Sequence, residues 1–252
     1  MQKILFSNIG YAKGIDGTLW QHVSRLGRHI YTAQSTQTLI LKQLKEIIRT
    51  EDPDLCCFVE IEKGSLHSAY VNQLNHLVDD DYVFFDIANK YGEDNWRRHM
   101  PLSRGRSSAF LAKRELVFDR LYFRHGTKRL MYRIVLPGNV HVFFAHFSLD
   151  ARVRVRQFEE VRGMIDQAGG DAILLADFNI MHGFSELTPL LKGSNLRVIS
   201  KETDHTFTFH SRKLALDLCI CSEPLINRIA VRVVPQPFSD HQALLVTLDD
   251  PS

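Results

Sequence analysis

Nowhere in the 252 residues is there an apolar run approaching the roughly 18 residues that a membrane-crossing helix needs, which excludes a helical membrane protein. Charge of one sign is missing too: 31 Lys and Arg stand against 29 Asp and Glu, a formal net charge of +2. There are only four cysteines, Cys56, Cys57, Cys219 and Cys221, and all fall within apolar runs. That pattern excludes a disulfide framework and suits buried thiols in a reducing compartment, so the expected location is cytoplasmic. A CC pair and a CxC pair also have the wrong spacing for the usual zinc ribbons and fingers. The opening residues, Met1 to Gly10, include Asn8 and run into a polar, Gly-rich stretch, which does not read as a signal peptide. No low-complexity tract, heptad repeat or Pro/Ser-rich linker divides the chain, and one domain over 1–252 is expected.

What is present is ordinary for a globular domain, with 44% hydrophobic and 24% charged residues. The distribution of charge is less ordinary. Eleven Lys or Arg lie between Arg97 and Arg133 against two acids, Glu115 and Asp119, so the remainder of the chain is acidic by about seven charges. One region is therefore polarised towards an anionic partner.

The apolar pattern predicts a strand over 3–8, a helix over 17–30 on Leu19, Val23, Leu26 and Ile30, and a helix over 36–50 closed by Pro53. A buried strand over 54–60 and a helix across 66–78 follow. The second half repeats the plan, with a strand over 140–147, a helix over 152–168 and a buried strand over 172–177. Each strand–helix–strand unit has both strands ending on a polar side chain: Asn8 and Glu60 in the first, His146 and Asp177 in the second. Ligands in α/β architectures gather at the carboxyl ends of strands, so these four groups should converge. Between the units, 107–112, 116–124 and 129–136 read as a strand meander, and 205–209, 215–221 and 242–248 supply the last strands. Two β-sheets packed face to face, with helices outside, fit this count better than a single doubly wound sheet.

Three clusters carry chemistry. Asp177 and Asn179, two residues apart after an apolar strand, could hold a metal or a water, or could simply start a loop, as Asp and Asn often do. His241, following Ser239 and Asp240 at a strand start, could be a metal ligand, a general acid or base, or a capping histidine. Asp217 lies within the apolar LALDLCIC, where a charge needs a partner, and His241 would make the two a dyad.

In this order the motifs resemble the endonuclease/exonuclease/phosphatase superfamily, whose fold is a deoxyribonuclease I-like α/β sandwich of two sheets flanked by helices on both outer faces. SNIG supplies Asn8, DLCCFVE supplies Glu60, AHFSL supplies His146, and ADFN supplies Asp177 and Asn179. HTFTFH with LDLCIC supplies Asp217, and FSDHQALLV supplies Asp240 and His241. The sequence departs from the pattern at Ser7, Val59 and Ala176, where an aromatic, a Gln and a Gly are usual. Glu62 shares a strand face with Glu60 by period-2 counting and is the ambiguity in the metal assignment.

The resemblance implies that Glu60 with Asn8 holds Mg²⁺, with Mn²⁺ a possible substitute. Asp177 would orient and deprotonate the attacking water, while His146, Asn179 and His241 would donate hydrogen bonds to the transition state. Asp217 would keep His241 protonated, and Asp240 would lie near the metal as a secondary acid. The superfamily hydrolyses DNA, RNA, inositol phosphates and phospholipids, so fold cannot choose among them.

Two segments bear on substrate: 9–35, with Trp20, His22, Arg25, Arg28 and His29, and 95–106, where Trp96 accompanies Arg97, Arg98, Arg104 and Arg106 without an acid. A charge run is commonly a solvated face; beside a phosphoesterase cleft it would track a polyanion backbone, with Trp96 stacking a base. The leading expectation is a phosphodiesterase for nucleic acid or a nucleotide. A phospholipid or sugar-phosphate hydrolase is the alternative enzyme, and a catalytically inactive binding module is the third reading. No protein partner is implied.

Overall fold

The computed structural model describes residues 1–15, 31–92 and 95–250, without the side chain of Arg98. The helix expected over 17–30 and the polar residues Trp20, His22, Arg25, Arg28 and His29 lie outside the described residues.

Strand β1 (Gln2–Asn8) lies parallel to β2 (Leu55–Glu62), and helix α1 (Gln34–Glu51) connects them. The helix buries Ile40, Leu41, Leu44 and Ile48 at helical spacing and stops where Asp52 turns left-handed at φ 50°, just before Pro53. The second unit joins β7 (Val140–His146) to the parallel β8 (Asp171–Asp177) through α2 (Ala151–Ala168). Asp150 caps that helix, its side chain accepting from the backbone N–H groups of Arg152 at 2.8 Å and Val153 at 3.3 Å.

The other strands complete two six-stranded sheets and a hairpin. They are β3 (Phe84–Asn89), β4 (Arg106–Ala112), β5 (Val117–Tyr122), β6 (Leu130–Leu136), β9 (Leu196–Val198), β10 (Phe207–Phe209), β11 (Arg212–Leu214), β12 (Asp217–Ser222), β13 (Ile229–Val234) and β14 (Ala243–Leu248). The first sheet runs β13-β14-β1-β2-β4-β3 and the second β5-β6-β7-β8-β12-β9, with β10 and β11 paired separately.

Central strands bury both faces, so they read as near-continuous apolar runs. Between the sheets, Phe6, Cys57 and Phe110 meet Tyr132, Phe144, Leu175 and Cys219. Outside the first sheet, Leu5, Cys56, Phe58 and Leu245 pack against α1, and outside the second, Leu174, Phe143 and Phe178 pack against Phe158, Val161 and Ile165 of α2. This is the expected two-sheet sandwich with helices on both outer faces.

Three details differ from the sequence-based expectation. Residues 66–78 form two 3₁₀ turns, Leu66–Ser68 and Leu74–His76, because Ala69 and Tyr70 adopt left-handed φ of 49° and 63° that break a helix. The expected meander is divided: β4 joins the first sheet beside β2, while β5 and β6 form the edge of the second. The strand expected over 215–221 is β12 and starts two residues later, at Asp217, because the chain turns between Leu214 and Asp217 to leave the hairpin for the sheet.

Candidate active site

Polar side chains collect at one open edge of the sandwich because strand register places them in line. His146 pairs with Asp177 across β7 and β8, and Asp177 pairs with Asp217 across β8 and β12. Directly paired residues project to the same side of a sheet, so these three stand abreast. Asn8, at the end of β1, bridges from the other sheet: its Nδ2 donates to Asp177 Oδ2 at 3.0 Å, and its Oδ1 accepts from the Gly10 N–H at 3.1 Å.

His241 enters from the loop before β14 and donates from Nδ1 to Asp217 Oδ2 at 2.7 Å, while its Nε2 lies 3.8 Å from Asp177 Oδ2. Phe207 packs on its ring at a centroid distance of 4.7 Å. Thr206 fixes the strand start beneath it, its Oγ1 accepting from the N–H groups of Leu216 at 3.0 Å and Asp217 at 2.9 Å. Burial alone would lower the His241 pKa, but the carboxylates of Asp217 and Asp177 outweigh it and raise it to about 10. The second imidazole is in the opposite state. Burial, with Lys128 alongside, holds His146 well below the usual histidine range. A charged His241 and a neutral His146 thus flank Asp177, whose own pKa burial raises. Asn179 turns left-handed at φ 53°, its N–H donating to Asp177 Oδ1 at 3.1 Å and its Nδ2 to the Phe147 carbonyl at 2.9 Å.

Glu60 is placed by an irregularity. The β2–β4 register slips between Phe58 and Ile61, and Glu60 takes φ 55°, a conformation that costs a non-glycine residue about 1–3 kcal/mol and needs its surroundings to hold it. Phe58 and Ile61 consequently both face the α1 layer. This corrects the period-2 expectation that Glu60 and Glu62 share a face. Glu60 Oε1 reaches to 3.6 Å from His146 Nδ1, whereas the fully buried Glu62 accepts from Ser65 Oγ at 3.0 Å and lies 3.8 Å from His67 Nδ1. Burial would raise Glu60, but the ammonium groups of Lys90, Lys128 and Lys13 around it help to hold the carboxylate well below its usual range.

Two arrangements here can hold a divalent cation. Asp177, Asp217 and His241 are buried and offer ligand atoms within 4.8 Å of one another. Glu60 and Asp240 line a second place, a pocket of about 60 Å³ shared with Gly10, Lys13 and Ser239. Burial raises the Asp240 pKa, and the facing Glu60 raises it further, the mutual repulsion that a cation between two carboxylates would relieve.

Sequence reasoning did not single out Tyr11, Lys13, Lys90 or Lys128. Lys90 Nζ contacts the Tyr11 hydroxyl, and Lys128 Nζ contacts His146 Nε2. The Tyr11 ring also lies 5.2 Å from Lys13, 5.1 Å from Lys90 and 5.3 Å from Arg106. Burial lowers Lys90 to about 7 against the attraction of Glu60. Lys128 belongs to the basic stretch 97–133; Lys13 and Lys90 had no distinguishing signal.

That basic stretch is not one surface. Arg120 is paired to Asp86, Arg133 to Asp119 at 2.6 Å, and Lys113 to Asp52 at 2.5 Å, the last at the opposite end of β2 from Glu60. Arg106 approaches the site over Tyr11. Arg97 lies over Trp96 at 5.3 Å and Arg104 over Tyr70 at 5.1 Å, and Ser103 Oγ ties their loop together by donating to the Arg97 carbonyl at 2.7 Å. Arg98 has no described side chain.

The profile of the endonuclease/exonuclease/phosphatase family matches residues 41–241. The chain belongs to this family. Its members share the metal-dependent phosphoesterase class, to which the convergent carboxylates and imidazoles are suited. Among curated proteins, none matches the sequence. Among solved structures, the family fold is similar to truncated TDP2 from Caenorhabditis elegans, at 16% identity over 99% of this chain and 97% of that one, with a TM-score of 0.64. It is similar to beta toxin from Staphylococcus aureus at 14% identity over 99% and 100% of the two chains, TM-score 0.68. A third is the endonuclease domain of TRAS1, a telomere-specific non-LTR retrotransposon, at 12% identity over 100% of each chain, TM-score 0.58. At these identities the structural likeness speaks for the fold alone. Among the described residues, no helix of this family member is long and apolar enough to cross a membrane.

Proposed function

We propose that the chain is a Mg²⁺-dependent phosphodiesterase acting on nucleic acid, with Glu60, Asn8 and Asp240 on the metal side and His146, Asp177, Asn179, Asp217 and His241 on the phosphate side. The all-oxygen donor set at the Glu60–Asp240 pocket suits a hard cation, whereas Asp217 and His241 are already committed to each other at 2.7 Å. Bound there, Mg²⁺ would supply charge neutralisation at the phosphoryl oxygens.

The chain's own groups carry the rest. Asp177, aligned by Asn8 and the Asn179 N–H, is placed to take a proton from water. His241, held as an imidazolium by Asp217, donates to the phosphoryl oxygen on which charge accumulates. Asn179 adds a donor at the same centre, and His146 lies beside it between Glu60 and Asp177.

The observation favouring nucleic acid is the pair of arginine–aromatic contacts, Arg97 on Trp96 and Arg104 on Tyr70, with Trp96 65% and Tyr70 61% exposed. Such a rim offers charge to a phosphate backbone and rings to bases. A panel of single-stranded and double-stranded DNA, RNA, phosphorylated sugars and phospholipid head groups, assayed with Mg²⁺ and with chelator, tests the reading. Chelator-sensitive cleavage of a nucleic acid supports it; turnover confined to a small phosphate ester or lipid would replace it.

A further inference from the structure

Lys128 reaches the phosphate side of the candidate site from the β5–β6 loop, which the motifs do not cover. Its Nζ touches His146 Nε2, and that atom is 3.2 Å from Asp177 Oδ2. Among the described residues, no carboxylate lies within ion-pair distance of the ammonium, whose contact is an imidazole. Glu60 and Asp177 attract the ammonium only from beyond that distance, so its direct contact is a ring and its hydrogen-bonding capacity is left for an anionic ligand. Nor is the lysine there by accident of a loose loop. Gln157 Nε2, from fully buried Gln157 on α2, donates to the carbonyls of His125 at 3.0 Å and Lys128 at 2.9 Å. The same side chain's Oε1 accepts from the Ser148 N–H at 2.9 Å, locking the loop to the segment that follows His146. Glu160 holds the other end, accepting from the Arg124 N–H at 2.6 Å and lying 2.6 Å from His125 Nδ1. Gly126 passes so close to α2 that an added Cβ would sit 2.8 Å from Val153 Cγ1.

We propose that the Lys128 ammonium is a further catalytic group, contacting a non-bridging oxygen of the scissile phosphate beside His146; this rests on the phosphodiesterase reading above. It forms no covalent bond and transfers no proton. It supplies a fixed positive charge beside His146, worth more as charge accumulates on the pentacoordinate phosphoryl group than in the ground state.

The test compares wild type with Lys128→Met and Lys128→Arg, using the full chain. Kinetics on the cleaved nucleic acid are measured at saturating Mg²⁺, and binding of inorganic phosphate is measured by calorimetry without turnover. Loss of one such donor should lower kcat on the order of 10²–10³-fold with a smaller change in KM. Lys128→Arg should recover part of kcat. Phosphate affinity should fall on the order of 10-fold in Lys128→Met, with the melting temperature held. If Lys128→Met misfolds by circular dichroism, Lys128→Gln is read in the same way. Unchanged kcat and phosphate affinity in an active enzyme would overturn the assignment and leave the phosphodiesterase reading intact; so would a rise in KM alone. If wild type cleaves no nucleic acid yet binds phosphate through Lys128, the substrate reading fails and the Lys128 contact stands. A wild type that binds no phosphate overturns it.

Discussion

His241 Nδ1 lies 2.7 Å from Asp217 Oδ2, and both side chains are buried, so the imidazole has a carboxylate partner where water cannot screen either. Both groups are shifted upward: the carboxylates raise His241 to about 10, and burial raises Asp217 to about 6. With the proton shared in this way, His241 remains a donor through neutral pH.

Asp217→Asn removes the charge and keeps the shape. The His241 pKa should then fall, and the imidazolium be lost at lower pH. On the proposed role of the protonated ring, the alkaline limb of the kcat profile should move to lower pH, and kcat should drop on the order of 10²–10⁴-fold at its optimum. A pH–rate series on both proteins checks this. Full activity with an unmoved limb would make Asp217 a structural acid only.

Substitutions at Glu60 and Glu62 should separate function from folding. Glu60→Gln should abolish Mg²⁺-dependent turnover and weaken Mg²⁺ binding, with little effect on melting. Glu62→Ala should keep most of the turnover and lose stability instead, on the order of 1–3 kcal/mol, because Ser65 Oγ and the space beneath Gly105 lose their partner. Magnesium titrations and thermal melts of the two variants decide it; a dead, fully folded Glu62→Ala would reverse the assignment.

Much of this site was legible because its residues sit where apolar strands stop: Asn8, His146 and Asp177 end β1, β7 and β8, and parallel pairing brings such ends together. Asp217 stood out as a charge within an apolar strand. Glu60 was found by motif, while its separation from Glu62 was hidden, since a bulge breaks the alternation on which face assignment depends. Lys90 and Lys128 were missed because loops bring them in, and loop paths have no periodicity. Of the strands, β3 was missed because Phe84–Asn89 is an edge strand with mixed exposure, Phe85 remaining exposed. In contrast, β13 (IAVRVV) alternates in burial and carries a signal that period-2 counting could have found.

Gly126→Ala tests whether the β5–β6 loop must keep its path. Its φ of +86° disfavours a side chain, and the new methyl would meet Val153 Cγ1 at 2.8 Å and Gln157 Nε2 at 2.9 Å. The loop should shift and carry Lys128 with it. We expect a loss of about 1–3 kcal/mol in stability and a fall in kcat on the order of 10- to 100-fold. Denaturant unfolding and steady-state kinetics would show both effects; a lowered midpoint with kcat untouched would mean that the loop's position does not matter to turnover.

The rim arginines bear on substrate. Arg97 and Arg104 each lie over an exposed aromatic ring, and neither has a carboxylate partner among the described ion pairs, unlike Arg120, Arg133 and Lys113 of the same basic stretch. If both touch a phosphate backbone, each contact releases counterions and adds roughly 0.7–0.9 to the steepness of log K against log salt. The Arg97→Ala, Arg104→Ala double variant should therefore bind single-stranded or double-stranded nucleic acid with a slope shallower by about 1.4–1.8 than wild type. KM should rise more than kcat falls, because these contacts lie away from the reacting phosphate and are made equally in ground and transition states. Hydrolysis of a small phosphate ester, which reaches only the metal and its neighbours, should be almost indifferent to the change. Binding isotherms across a salt series, with parallel kinetics on both substrates, measure each arm. An unaltered slope in the double variant would make this rim a solvated face and return the choice of substrate to the small phosphate esters.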